Sequence, residues 1–487
     1  MNNEIKRALE IVDSELKNKG ISRRDAFRLA GLGSAAFLVG GTQAQSATVA
    51  KASSVKGKIL IIGGGLAGIS TAAKLTNELS NPNITIIEPN PKSVSYQPGN
   101  TLIGAGIYTR QDVMYETKDF LPSGVTLVKD KAVEFDPENN NVTTASGKVV
   151  KYDFLVIAAG LKLDFSKIKG LESIEEAYTL GNGSRILDVL GDSGATTIYN
   201  TDAAVQTWNQ MQKFISKAKS GKKVRGIFTH PNSPIKCGGA PKKIMSLTHS
   251  RLEEANARKN AELLFCPNGG KMFGVPEYHD AIVNQFKSRD MKWNYKHNLV
   301  GVDLDKNIAT FDKHWTEKGE YDEDLEEFEM VTKHEHVETQ FDFLHITPHM
   351  KAPDEIGKSK VGSGKGWIPV NKETLQHVKY PNIFSLGDIA AVPMGKTGGS
   401  VRKQYKVVVE NLIAVMEGKK PTAKYGGYTV CPLITGIGSV MLAEFDWSKK
   451  PTPSFSLDPT QERYIWWLMK IYLLKPMTQY GMLAGRA

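Results

Sequence analysis

The cysteines are the residues of this chain best suited to redox or nucleophilic chemistry. Cys237 lies in PNSPIKCGGAPKKI, with Lys236 just before it and Lys242 and Lys243 shortly after it. Nearby cations lower the pKa of a thiol and attract small anions, so this thiol is a candidate nucleophile. The alternative is that these lysines form an ordinary solvated face. The chain has three cysteines, too few for a disulfide scaffold, and the odd number leaves at least one outside any intramolecular pair.

The other two cysteines stand in different surroundings. Cys266 ends the apolar run LLFC, which is typical of a buried structural cysteine. Cys431 lies in YTVCPL, far along the chain, so only the fold could bring it to Cys237.

A group of histidines invites a metal interpretation. The members that lie close in sequence are His334, His336, His345 and His349. However, His345 lies inside the strand-like FDFLHIT, and no cysteine or repeated carboxylate completes a ligand set. The sequence therefore predicts no metal site.

A glycine-rich loop between a buried strand and a helical pattern predicts a dinucleotide site. In KGKILIIGGGLAGIS, the apolar run Ile59–Ile62 leads directly into the loop. Its glycines permit a tight turn, let a pyrophosphate approach the backbone and let helix and strand pack closely. The helix N-terminus attracts phosphates, and Glu88, at the end of the next strand, can accept from ribose hydroxyls. The loop residues predicted to bind the cofactor are Gly63, Gly65, Leu66, Ala67 and Gly68.

Two later segments favour FAD over NAD. KYDFLVIAAG closes on Ala159 and Gly160, and YPNIFSLGDIAA closes on Gly387 and Asp388. Both resemble segments of the two-dinucleotide flavoprotein superfamily, in which the Gly-Asp turn brings a carboxylate to the ribityl and phosphate region of FAD. The resemblance implies a non-covalently bound FAD.

A helical pattern begins soon after the Gly-Asp turn. Lys396 and Thr397 open it in PMGKTGGSVRKQYKVVV, and both are predicted cofactor residues. The N-terminus of such a helix could stabilise negative charge at the pyrimidine end of a reduced flavin.

The region where a second nucleotide loop would be expected has different chemistry. The strand-like VRGIFTH is followed by Pro231 and Pro234 rather than by glycines. Proline lacks an N–H donor and fixes φ, so this segment is a poor phosphate cradle. Binding of NAD(P)H is therefore disfavoured.

At this point the chain resembles the sulfide:quinone oxidoreductases. PNSPIKCGGAPKKI and YTVCPLITGIGSVMLAEFDW resemble the first and second redox-cysteine segments of that family. YQPGNTLIGAG, which contains the predicted cofactor residues Gln97 and Pro98, and GWIPVNKETLQHVKYPNIFSLGD also match. The likeness covers residues 56–487 and points to the branch with two central cysteines.

The resemblance implies a mechanism and a catalytic set. Cys237 and Cys431 would face the flavin as a disulfide or sulfur-bridged pair that sulfide opens to a persulfide and a thiolate. We favour Cys431 for the persulfide and Cys237 for the flavin-facing thiolate, with Lys243 and Lys396 completing the set. Two electrons would pass through FAD to a membrane quinone.

Three alternatives stay open. One is the flavoprotein subunit of a flavocytochrome c sulfide dehydrogenase, although its usual additional early cysteine is absent here. The others are a type II NADH:quinone oxidoreductase and a non-catalytic flavoprotein.

The resemblance also implies an α/β fold with two Rossmann-like dinucleotide-binding domains of the glutathione-reductase type. The expected segments are a signal and linker (1–50), the first part of the FAD domain (56–165), a second Rossmann-like domain without an NAD loop (166–334), the second part of the FAD domain (335–415) and a C-terminal region (416–487).

The N-terminal region has the pattern of a targeting signal. In ISRRDAFRLAGLGSAAFLVGG, Arg23 and Arg24 precede an apolar run that is shorter than the ~20 residues needed to span a bilayer. This pattern resembles a twin-arginine export signal. We therefore expect an exported protein on the periplasmic face of the inner membrane.

The C-terminal tail, Arg463–Ala487, favours membrane contact. The apolar stretch Tyr464–Leu474 is interrupted by Lys470 and soon followed by Pro476, so it can lie in the interface with its lysines at the headgroups. The alternative is a helix docked on the protein's own core. Membrane contact is favoured because a lipid-soluble quinone must be taken from the membrane. Whether the protein forms a homo-oligomer stays open.

Composition and charge limit the remaining partners. A content of 40% hydrophobic and 23% charged residues is that of an ordinary globular protein. The net charge of +10 is spread along the chain. Because no zinc-finger, RNA-recognition or basic-helix signature accompanies it, we expect no nucleic-acid partner.

Overall fold

Two five-stranded parallel sheets organise the chain, which the computed structural model describes for residues 53–487 except 93–95, 176, 180, 323–326 and 365. The predicted twin-arginine signal lies outside the described residues. The strands are β1 (Lys58–Ile62), β2 (Asn83–Ile87), β3 (Thr126–Val128), β4 (Ala132–Asp136), β5 (Asn141–Thr144), β6 (Val149–Lys151), β7 (Phe154–Ile157), β8 (Lys162–Asp164), β9 (Ala177–Tyr178), β10 (Ala195–Thr196), β11 (Val224–His230), β12 (Ala261–Pro267), β13 (Lys292–Trp293), β14 (His297–Asp303), β15 (Ile308–Asp322), β16 (Glu327–Gln340), β17 (Phe343–His345), β18 (His349–Lys351), β19 (Ile383–Ser385), β20 (Thr429–Gly436), β21 (Ser439–Phe445) and β22 (Glu462–Arg463). The helices are α1 (Leu66–Glu78), α2 (Asn100–Ile103), α3 (Ser184–Leu190), α4 (Thr201–Lys219), α5 (Ala240–Glu254), α6 (Pro276–Ser288), α7 (Asp354–Gly357), α8 (Gly398–Met416), α9 (Tyr464–Leu468) and α10 (Leu474–Pro476).

The first sheet has the order β19-β7-β1-β2-β3. The residues Ile59–Ile62 of β1 are buried, as expected for an apolar strand covered on both faces of a parallel sheet. β1 pairs with β2 on one side and with β7 on the other, so the carboxyl end of β1 is a topological switch point. Ligands of open α/β sheets bind at such points, and here the glycine loop follows β1 directly.

The second sheet has the order β10-β17-β11-β12-β13, and α5 follows its central strand β11. The predicted α/β fold with two Rossmann-like sheets is therefore confirmed. The predicted domain boundary at residue 335 falls before β17, although β17 pairs with β10 and β11. The sequence did not reveal that the chain returns to the second sheet at β17, because a three-residue strand after a long exposed hairpin has little sequence signal.

Four three-stranded sheets complete the fold. In one of them, β14-β15-β16, strand β16 is mostly exposed. In another, β20-β21-β22, strand β20 packs against α5. The tail after β22 is helical, with π-turns at Met469–Leu473 and Met477–Met482. Within the described ranges, no helix combines the length and apolarity needed to cross a membrane.

Candidate functional site

A cavity of about 1180 Å³ extends from the glycine loop to the C-terminal tail. Its walls include the ends of β1 and β7, the N-termini of α5 and α8, and apolar side chains of the tail. The predicted site residues that line it are Gly63, Gly65, Leu66, Ala67, Glu88, Gln97, Pro98, Ala159, Gly160, Cys237, Lys243, Gly387, Asp388, Lys396 and Thr397. Gly68 and Cys431 lie just behind the wall, at contacts described below.

The glycine loop needs its glycines for steric reasons. Gly63 has a φ of +104°, and a Cβ there would lie 2.5 Å from the Ala158 carbonyl oxygen at the end of β7. A Cβ on Gly68 would overlap the Gly63 carbonyl, so Gly68 lets α1 pack on the loop. The loop is thereby held close to the backbone of two strands, leaving the cavity side open for a ligand.

Glu88 is tied to the loop rather than exposed. Its carboxylate accepts hydrogen bonds from the Gly64 N–H at 2.8 Å and from the Asn90 N–H at 2.7 Å. Burial raises its pKa, while these two N–H donors oppose that rise. The Asn90 side-chain nitrogen is buried without a partner among the described residues, and Asn90 lines the cavity. An unpaired amide at this position suits a polar ligand group.

The Gly-Asp turn approaches the glycine loop from β19. Gly387 has a φ of +76°, and a Cβ there would lie 3.3 Å from the Ala67 side chain. Its N–H donates to Gln404 of α8 at 2.9 Å. Burial raises the pKa of Asp388, although Lys236 and Lys396 lower it. Two loops of the first domain thus meet at one end of the cavity.

Lys396 and Thr397 define the start of α8. The Thr397 side chain caps the helix by accepting from the Ser400 N–H at 3.2 Å. The Lys396 ammonium donates to the carbonyls of Asp388 and Ala390 and lies 3.9 Å from the centroid of the Trp367 ring. Burial lowers its pKa to about 8. In this structure Lys396 therefore holds the Gly-Asp turn from within.

Cys237 stands in the turn that begins α5. Its φ is +48°, and its N–H donates to the Lys396 carbonyl at 3.0 Å, which links the second sheet to the first domain. Lys243, three residues after the start of the helix, donates to the Cys237 sulfur at 3.4 Å. Lysine and thiol thus lie together because a turn at positive φ brings the Cys237 side chain back toward the helix.

Cys431 reaches the same point from β20. A Cβ on Gly239 would lie 2.6 Å from the Cys431 sulfur, so the absence of a side chain at Gly239 admits that sulfur. A hydrogen bond from Cys431, together with Lys243 and Lys470, holds the pKa of Cys237 well below its usual value. The same bond and burial raise the pKa of Cys431. Both cysteines are free in this structure, and the pKa of Cys237 lies below that of Cys431.

Besides the lysines that flank Cys237 in the sequence, Lys470 of the tail lies near these thiols, which the sequence did not predict. Lys236 is buried and donates to Gln97 at 2.7 Å and to Thr179. Lys470 is 1% exposed and donates to the Pro98 carbonyl at 3.2 Å, and burial lowers its pKa to about 7. The tail interpretation put Lys470 at lipid headgroups, which is wrong. The signal was available: a single charge inside an apolar run is as consistent with a buried partner as with a headgroup.

Cys266 is the third free thiol and is buried in β12. Burial raises its pKa to about 12, so it has the properties of an inert structural cysteine.

Comparison with known proteins identifies the family. The sequence model of the pyridine nucleotide-disulphide oxidoreductase family matches residues 57–198. The chain is 35% identical to the mitochondrial sulfide:quinone oxidoreductase of Mus musculus over 430 residues, which is 88% of this chain and 86% of the relative. The mitochondrial sulfide:quinone oxidoreductase of Dictyostelium discoideum is 35% identical over 431 residues, covering 88% of this chain and 86% of the relative.

A solved structure agrees on the fold. The sulfide:quinone oxidoreductase of Aquifex aeolicus superposes with a TM-score of 0.69 at 19% identity, covering 88% of this chain and 92% of that one.

These relatives correct the predicted location. The periplasmic assignment was wrong, because both eukaryotic relatives are mitochondrial and point to that compartment. The error has a physical origin, since export signals and mitochondrial transit peptides both carry arginines and small residues.

The site fits the cofactor of this family. Members bind FAD. The sterically required glycines, the helix N-termini and the unpaired Asn90 amide supply the turn, the positive dipole ends and the donor that a dinucleotide needs. The chain belongs to the sulfide:quinone oxidoreductase family.

Proposed function

We propose that this protein oxidises sulfide at the Cys237–Cys431 pair and passes two electrons through FAD to a membrane quinone. The observation that carries the proposal is that two thiols from distant segments share one lysine-rich corner of the dinucleotide cavity. A buried cationic corner attracts HS⁻ and stabilises a thiolate.

The difference in pKa between the two cysteines supports attack of sulfide at Cys431. HS⁻ attacks the Cys431 sulfur of an oxidised Cys237–Cys431 bridge, a new S–S bond forms a persulfide on Cys431, and Cys237 leaves as a thiolate. A thiol of low pKa is the better leaving group, and Lys243 keeps the pKa of Cys237 low. This assigns the persulfide to Cys431 and the thiolate to Cys237.

A second sulfide completes the sulfur chemistry. HS⁻ attacks the outer sulfur of the persulfide, releasing hydrodisulfide and returning Cys431 as a thiol. The pair then holds the two electrons that sulfide gave up, and they leave when the bridge re-forms. Bound FAD supplies the two-electron chemistry that links this dithiol to a quinone.

Two roles of FAD-binding residues follow from their contacts. The loop from Gly63 to Gly68, together with Glu88 and Asn90, would hold the adenosine and pyrophosphate portion. Asp388 and the N-terminus of α8 would hold the ribityl and flavin portion. Lys396 would act mainly by fixing the Gly-Asp turn through its carbonyl bonds.

The second Rossmann-like domain serves in this proposal as the support of a thiol. Pro231 and Pro234 occupy the segment between β11 and α5, where a phosphate loop would need N–H donors. The proposed electron donor is therefore sulfide and not NADH.

The tail offers a lipid-facing surface beside the cavity. Tyr472, Leu473 and Tyr480 are exposed by 49%, 46% and 73%. Tyr472 and Leu473 also line the cavity, together with Leu468 and Met469. Aromatic and apolar side chains at such a surface favour the membrane interface. We infer that this face rests on a mitochondrial membrane and admits the quinone.

The proposal is tested by steady-state reduction of decylubiquinone by the purified holoprotein. Sulfide should support turnover and NADH should not. Turnover with NADH but not with sulfide would instead favour a type II NADH:quinone oxidoreductase.

A further inference from the structure

A buried tyrosine from the second sheet lies at the edge of the cavity where the thiols are found. Tyr199 follows β10, and the turn that contains Cys237 follows β11 in the same parallel sheet. Because carboxyl ends of parallel strands meet at one edge, the two segments converge there. Tyr199 is 3% exposed and lines the cavity together with Cys237 and Lys243.

The Tyr199 hydroxyl has no hydrogen-bond partner of normal geometry in the part of the chain that the structure describes. It lies beside the hydroxyl of Thr347, which is also buried and equally unpaired. The ring, in contrast, is well held, with its centroid 6.3 Å from that of His345. An unpaired buried hydroxyl destabilises a fold, so such a group beside a reactive site indicates that a reacting group completes its bonding.

The electrostatics of Tyr199 connect it to both sulfurs. Burial raises its pKa well above the usual value, and negative charge on Cys237 raises it further. The neighbouring Thr347 hydroxyl lowers this pKa, and negative charge on Cys431 raises it. The phenol therefore keeps its proton at neutral pH and is available as a donor to a nearby anion.

Building on the proposed function, we propose that Tyr199 is a catalytic residue whose hydroxyl donates a hydrogen bond to the sulfur anion formed at the Cys237–Cys431 pair. A persulfide adds a sulfur about 2 Å beyond the cysteine sulfur and so extends the pair into the cavity that Tyr199 lines. The tyrosine keeps its proton and forms no covalent bond. Lys243 supplies positive charge from α5, and Tyr199 supplies a directed donor from the β10 side.

The test compares Tyr199→Phe with a matched control, Tyr295→Phe. Tyr295 also carries a buried hydroxyl without a partner, but it does not line the cavity. One readout is the pH dependence of alkylation by iodoacetamide after anaerobic addition of one equivalent of sulfide to the oxidised pair, with mass spectrometry separating the alkylated persulfide from the alkylated thiols. The other is stopped-flow bleaching of the flavin by sulfide, followed by its reoxidation with decylubiquinone.

Tyr199→Phe should move the midpoint of alkylation upward by about one pH unit, because one charge-assisted donor is lost. Bleaching by sulfide should slow about tenfold, with reoxidation by quinone unchanged. Tyr295→Phe should match the wild-type protein in both assays. The other titratable groups facing the pair stay unaltered in this comparison: Lys236, Lys242, Lys243, Lys470, Asp388 and His230.

Equal alkylation profiles for the two variants, or slowing confined to the quinone step, would overturn the inference. A third variant, Thr347→Val, tests whether the hydroxyl acts only through its neighbour, since full reproduction of the Tyr199→Phe defect would also overturn it. A wild-type protein that sulfide does not bleach counts against the proposed function, whereas a wild-type protein that bleaches together with an unaltered Tyr199→Phe variant counts against the role of Tyr199 alone.

Discussion

At the residue scale, one buried lysine changes the interpretation of the C-terminal tail. Lys470 lies 5.4 Å from the centroid of the Tyr96 ring and donates to the Pro98 carbonyl of the first domain. Burial and, to a smaller extent, Lys243 lower its pKa, whereas the two thiols raise it, and the net result is a pKa of about 7. Part of the cationic character of the thiol corner therefore comes from the tail.

This lowered pKa predicts a pH-dependent stability. The folded-state pKa of Lys470, about 7, lies below its ordinary value of 10.5, so the unfolded chain binds this proton more tightly. The free energy of unfolding therefore rises with pH between these two values, by at most about 1.4 kcal/mol per pH unit from this group. Lys470→Met should raise the melting temperature over that of the wild-type protein at about pH 6.5, and the gain should shrink by about pH 9.

Calorimetry of the holoprotein across this pH range measures the effect. The control is Lys420→Met, at an exposed lysine, which should leave the pH dependence of the wild-type protein unchanged. A gain from Lys470→Met that stays constant with pH would contradict the assignment.

Single residues differ in how far the sequence could predict them. Gly63 and Gly68 are predictable because a local reason requires each of them: the tight turn gives Gly63 a positive φ, and Gly68 must clear the Gly63 carbonyl five residues earlier. Tyr199 is not, because its position depends on which strand ends the sheet brings to one edge. Asp388 falls between these cases, since its turn is local but the Ala67 contact of the preceding glycine is not.

At the element scale, the contact between α5 and β20 creates the thiol pair. The helical pattern after Cys237 could be predicted, but the packing of β20 against that helix could not, because it joins segments far apart in the chain. Gly239, at the start of α5, contacts the Cys431 sulfur of β20. Its φ of −82° is one that alanine adopts without strain. Replacing Gly239 by alanine would therefore act only through the steric overlap of the added Cβ with its neighbours.

Gly239→Ala should displace the Cys431 sulfur, because the added Cβ would lie 2.6 Å from it. We expect sulfide-dependent bleaching to slow by at least about tenfold. Gly238→Ala is the matched control, since the nearest atom to its Cβ would be His230 Nε2 at 3.8 Å. Stopped-flow spectroscopy with sulfide compares them, and equal defects in both variants would contradict the proposed pairing.

At the scale of the whole molecule, the tail packs against the protein and also keeps aromatic side chains exposed. Trp466, Trp467 and Met482 are buried against the protein, while Tyr472 and Tyr480 stay exposed. Removal of the tail would therefore remove its exposed side chains and at the same time uncover the core. Point substitutions at exposed positions are the sharper test of membrane binding.

Tyr472→Glu, Leu473→Glu and Tyr480→Glu together should weaken binding to vesicles of phosphatidylcholine and cardiolipin, because charge at this surface opposes insertion into the interface. Bleaching of the soluble holoprotein by sulfide should be retained. Co-sedimentation with vesicles measures the change, with Met330→Glu on the exposed β16 strand as the control. Undiminished binding of the triple variant would show that another surface holds the membrane.

The account rests most directly on the redox role of the Cys237–Cys431 pair, and anaerobic titration of the yellow holoprotein with sulfide tests it. The wild-type flavin absorbance should bleach on addition of sulfide and return on addition of decylubiquinone. Cys237→Ser and Cys431→Ser should each retain FAD and fail to bleach, whereas Cys266→Ser should behave as the wild-type protein. Normal bleaching of either Cys237→Ser or Cys431→Ser would contradict the account.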